Sequence, residues 1–107
     1  DLTQAMFESH IGSVFTVSKP GMTPKKLKLA TVLEAPEKIR MGKDGKPLLE
    51  CFSLYFEGGK EDELEQNTYS FSHDAIGEFE LFMTSVVSPN PEIKCFQIVI
   101  NRLLRQL

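Results

Sequence analysis

The sequence has no tryptophan, only two cysteines and two histidines, and no excess of positive charge; its formal net charge is −3. Each scarcity removes a class of explanation. Cys51 and Cys95 are too few for a disulfide framework. Both sit in apolar, strand-like runs, where a free thiol packs as a small hydrophobe, and reduced cysteines point to a cytoplasmic protein. Two distant histidines and two distant cysteines do not supply the closely paired ligands of a zinc motif. Without a basic stripe there is no footprint for nucleic acid and no polybasic anchor for anionic lipid. No apolar run approaches the ~20 residues that cross a bilayer. Phosphate-binding loops, dinucleotide fingerprints and nucleophile elbows are also missing. The expectation is a protein with no cofactor and no metal, acting on neither nucleic acid nor membrane. The sequence opens on Asp1 rather than Met, and no signal-peptide pattern is visible in it.

The chain does have apolar residues in alternation. At 107 residues it is expected to form a single domain, 1–107, burying roughly two-thirds of its unfolded surface. "DLTQAMFESHIG" reads as a short helix, with Leu2, Ala5, Met6 and Phe7 on one face, Asp1 or Thr3 as its cap and Gly12 as its stop. Period-two patterns follow. Phe15 and Val17 share a face, then Leu27, Leu29, Thr31 and Leu33, then Phe52, Leu54 and Phe56. Tyr69 and Phe71 form the next set, followed by Phe79, Leu81 and Met83, and finally Phe96, Ile98 and Ile100. Turn chemistry separates them: Pro20-Gly21, a proline stop at Pro36, the hairpin signal Asp44-Gly45, Gly58-Gly59, and "SPNP" near 88–91. "RLLRQL" is expected to finish as a helical turn or a frayed tail. The charge run "KEDELEQ" reads as a solvated loop. About six strands at short spacing, with no βαβ units, predict a mainly β fold: a small antiparallel β-barrel or sandwich with a short N-terminal helix.

The residues that invite a chemical reading are His73 and Asp74, at a corner between two strands. Adjacent residues in an extended chain point to opposite faces, and an aspartate in a turn bonds to nearby amides. A nucleophilic site needs convergence that adjacency does not provide. His73 is therefore expected to brace the corner, with Gly77 supplying the backbone freedom that launches the next strand. His10, near the end of the first helix, either favours its negative pole or packs on the sheet. The candidate functional or structural corner comprises His10, Tyr69, His73 and Gly77.

"FSLYFEG" at 52–58 and "LEQNTYSFSHDAIGEFELFM" at 64–83 resemble a family of small, uncharacterised bacterial proteins described only as a domain of unknown function. The family pattern runs FSLLFRG, an acidic or proline-rich spacer, then LPQGTYRLEHPALGELELFLVPV. Its opening F-x-x-H-L-G-x-x-F is similar to the stretch carrying Phe7, His10, Gly12 and Phe15, and Asn101 matches its terminal Asn. Asn67 stands where the family has Gly, Asp74 where it has Pro, and "EKIRMGKDGKPLLE" is longer or differently built than the usual spacer. The resemblance implies an association with phage-tail-like collar proteins, hence an accessory or structural role and a place in a phage-like assembly as the alternative to free cytoplasm. The expected function is a non-enzymatic interaction or assembly module whose partner is another protein or a second copy. Two alternatives stand beside it. One is a ligand-binding or enzymatic barrel using His73, Tyr69, Glu78 and Glu80. The other is an immunity or inhibitor protein presenting the acidic loop 57–65.

Overall fold

The computed structural model describes residues 2–34 and 49–103. The proline stop at Pro36 and the hairpin expected at Asp44-Gly45 lie outside the described residues. Helix α1 (Gln4–Glu8) precedes six strands: β1 (Val14–Ser18), β2 (Lys25–Glu34), β3 (Leu49–Gly59), β4 (Asn67–His73), β5 (Gly77–Val86) and β6 (Ile93–Leu103). They close into a barrel in the order β1-β2-β3-β6-β5-β4, every neighbour antiparallel. Closure settles barrel against sandwich, and it removes most of the free edges that a six-stranded sheet would expose.

Alternation builds the core as the sequence predicts. Phe15 and Val17, Phe52, Leu54 and Phe56, Tyr69 and Phe71, and Phe96, Ile98 and Ile100 all turn inward and are buried. The rings lock in both edge-on and stacked pairs: Phe15 meets Phe56 edge-on at 5.2 Å, while Phe71 and Phe79 stack nearly parallel at 5.4 Å. Each fully buried phenylalanine removes enough apolar surface to contribute about 1.5–3 kcal/mol. No polar or charged residue is buried among the described residues.

Three expectations need correcting. On β2, Leu27 and Leu29 point inward, but the register shifts between Leu29 and Thr31, so Val32 is buried and Leu33 is 51% exposed. An extra residue in one strand of an antiparallel pair reverses every side chain beyond it. The shift falls where β2 leaves its short ladder with β1 and is held instead by the turn before that strand. There the Gly12 N–H donates to the Leu29 carbonyl at 2.7 Å, and the Leu29 N–H donates to the Ser13 carbonyl at 3.0 Å. On α1 only Phe7 is buried, with Ala5 exposed and Leu2 and Met6 half-buried, because a helix this short sits across one end of the barrel and offers it a single side chain. Of the tail expected to coil or fray, Arg102 and Leu103 instead continue β6, with Leu103 opposite Leu49, and residues 104–107 lie outside the described residues. No helix among the described residues is long and apolar enough to cross a membrane.

Phe7 packs on Phe15, Phe52 and Phe79, from 5.8 to 6.3 Å between ring centres, and so stoppers that end. Thr3 caps α1 through the Met6 N–H at 3.1 Å. Glu50 anchors it: its carboxylate accepts the Gln4 N–H at 3.1 Å and lies 3.5 Å from the Arg102 guanidinium.

Candidate functional site

The corner after β4 holds the side chains that the sequence singles out. His73 is the last residue of β4 and pairs with Gly77, the first of β5. Gly77 has φ +97°, a conformation that a side chain would strain. Opposite the corner stands Ser13, the residue before β1, and beside it His10, whose N–H donates to the Phe7 carbonyl at 2.9 Å just past α1.

Both His73 ring nitrogens are engaged. The Ala75 N–H donates to Nδ1 at 3.0 Å, and the Ile76 N–H approaches it at 3.4 Å. Nε2 lies 3.0 Å from Ser13 Oγ, and Ser13 Oγ donates onward to the His10 carbonyl at 2.6 Å. The directions follow from the inventory of donors. Backbone amides can only donate, so Nδ1 is the acceptor and the ring proton belongs on Nε2. The serine proton is spent on a carbonyl, so Oγ accepts from Nε2. The line runs from the corner amides through the imidazole and the hydroxyl to the end of α1. It ties three separate segments together.

That polarity is the reverse of a serine–histidine dyad. A nucleophilic serine gives its proton to an unprotonated imidazole nitrogen, and a third group takes the other N–H. Here the nitrogen facing Ser13 is the protonated one. The imidazole also packs at 4.4 Å on the Phe15 ring and 4.7 Å on the His10 ring, which adds apolar contact to the brace. Asp74 is exposed on the outside of the turn.

Tyr69 does not join this corner. It is buried at the opposite end of β4, where its hydroxyl donates to the Glu65 carbonyl at 2.6 Å. Burial, and secondarily the Glu65 carboxylate, hold its phenol above the ordinary tyrosine range. Glu78 and Glu80 pair with Ser72 and Ser70 on the outer surface. The four residues proposed as the rim of an enzymatic barrel therefore do not converge. Among the described residues no group of three metal-ligating side chains assembles.

The acidic loop is tied to the chain's own lysines. Glu57 lies 3.5 Å from Lys28, Asp62 3.8 Å from Lys25, and Glu63 3.8 Å from Lys94. Asp62 also accepts the Gly59 N–H at 2.8 Å, and Leu64 is buried in the end of the barrel, while Lys60, Glu61, Glu63, Glu65 and Gln66 stay exposed, as a solvated charge run should be. Sequence reasoning passed over Ser13, Glu50 and Leu64. Ser13 had one legible signal: a hydroxyl residue directly after a turn glycine, where side chain-to-backbone bonds are common.

A family model described as a domain of unknown function (DUF6916) matches residues 2–100. The chain belongs to this family. The match takes in α1, the whole His73 corner and both histidines, so the brace lies inside the DUF6916 domain. No curated protein and no solved structure matches the chain.

Proposed function

We propose that this DUF6916 domain is a non-enzymatic interaction or assembly module, an accessory component whose ligand is a protein. One observation carries the reading: the most chemically capable side chain, His73, is fully engaged in joining α1, β1 and the β4–β5 corner. The packed rings inside the barrel support it, since a small-molecule site needs an open concave cavity with a few polar groups placed in it, and here side chains fill the interior. Four of the six large hydrophobic residues exposed among those described, Leu33, Phe82, Val87 and Val99, lie on or just beyond β2, β5 and β6. A place in a phage-tail-like assembly, rather than free cytoplasm, is the finer form of the same proposal.

The test is crosslinking mass spectrometry on the tagged full chain expressed in its source cells. The reading expects one stoichiometric protein partner, crosslinked to barrel lysines such as Lys26 or Lys94, with His73→Gln still captured as long as it folds. A turnover that His73→Gln abolishes in a folded protein would overturn it.

A further inference from the structure

The barrel wall has a weak seam. β5 pairs with β6 only over Thr84–Val86 and Cys95–Gln97, whereas β3 and β6 pair over eleven positions. From Gln97 onward β6 keeps β3 on one side, and among the described residues Ile98–Asn101 have no ladder partner on the other. β5 likewise keeps β4 but, among the described residues, has no second neighbour along Phe79–Phe82.

Burial reports the same opening independently. Phe79 and Leu81 point inward, in line with buried Met83, yet both are only half-buried. Inward residues on β1, β3, β4 and most of β6 are closed off from solvent. On the outside, Phe82 is 52% exposed and Val99 59% exposed. Extending the Thr84–Gln97 register places these two opposite each other, and Glu80 opposite Asn101. Glu78 and Glu80 are exposed on the β5 lip. Glu80 accepts only a 3.3 Å bond from Ser70, and neither forms an ion pair among the described residues.

We propose that this seam takes up an extended segment of a partner protein, which hydrogen-bonds to the β6 edge at Ile98–Asn101 as an added strand. An unpaired edge supplies main-chain affinity, and alternating pockets supply the preference. Apolar side chains of the guest turn inward against Ile98, Ile100, Phe79 and Leu81. Its outward side chains are basic and meet Glu78 and Glu80. The charge on the lip selects such a segment over a second copy of this acidic chain, which would bring its own carboxylates to the same place. The inference rests on the interaction-module reading and names its surface.

Fluorescence polarisation with an eight-residue capped peptide of alternating valine and lysine tests it, alongside an alternating valine–glutamate peptide and a block Val₄Lys₄ peptide. The expected result is saturable binding of the alternating valine–lysine peptide alone, with amide shifts centred on 79–82 and 98–101. Glu78→Lys with Glu80→Lys, both at exposed positions, should weaken it about tenfold at low salt. Glu61→Lys, in the loop at the other end, should leave it unchanged. Several results would overturn the seam: equal binding of the glutamate peptide, shifts elsewhere, no binding at millimolar peptide, or amides at 98–101 already protected from exchange in the free monomer. Concentration-dependent dimerisation protecting those amides would assign the edge to a second copy instead. Crosslinks from a native partner to another face would sink the seam and leave the interaction reading standing.

Discussion

Removing Ser13 and His73 separately and together measures whether they act as one brace. Ser13→Ala deletes the 2.6 Å bond to the His10 carbonyl and the acceptor 3.0 Å from Nε2. His73→Phe keeps a ring against Phe15 but deletes that same acceptor contact and the one holding the Ala75 N–H. A typical net hydrogen bond contributes about 0.5–1.5 kcal/mol, and the site is half-buried, so each single change should cost about 1–2 kcal/mol. The two changes share one bond. The double variant should therefore cost less than the sum, with a coupling of about 0.5–1 kcal/mol. Urea unfolding followed by circular dichroism reads this directly, provided the m-value is unchanged across all four proteins. Additivity within about 0.3 kcal/mol would refute a shared bond. A His73→Phe variant as stable as the parent would refute the brace altogether.

Other consequences follow from the same geometry. Phe7→Ala should destabilise by about 3–5 kcal/mol in chemical denaturation, because one ring stoppers the barrel end; a cost under about 1 kcal/mol would mean α1 is not docked. Gly77→Ala should lose about 1 kcal/mol or more despite open space around the position, since the penalty comes from φ +97° and not from collision. Tyr69 gives a pH signature. Its phenol titrates higher in the folded chain than the ordinary value near 10, so its contribution is complete below that value. It is lost as pH rises through the folded pKa, because the unfolded chain ionises first. Tyr69→Phe should flatten that alkaline slope in stability measurements and cost about 1 kcal/mol at neutral pH through the Glu65 bond.

Period-two alternation was enough to place the inward side chains of five strands, since one buried face requires it. It misled on β2, where nothing in "LKLATVLEA" marks the register shift. That shift answers to Gly12 and Ser13, which adjoin Leu29 in the ladder's geometry but lie well before it in the sequence. The tie between His73 and Ser13 spans 60 positions, and no local pattern encodes such a contact. Tyr69 and His73 occupy the same strand and face, yet the strand's length carries one to each end of the barrel. The half-open seam was likewise illegible, because "EFELFM" and "CFQIVI" both read as complete strands; only the paired register shows where they part.

The central claim is that His73 is a structural donor with its proton on Nε2, and imidazole nitrogen chemical shifts test it most directly. In long-range proton–nitrogen spectra of labelled protein at pH 8, above the ordinary imidazole range, Nε2 should carry the proton and Nδ1 should show the unprotonated shift. Ser13→Ala should disturb the Nε2 signal selectively. A proton on Nδ1, with Nε2 free to accept from Ser13, would be the arrangement of a base beside a nucleophile and would contradict the account.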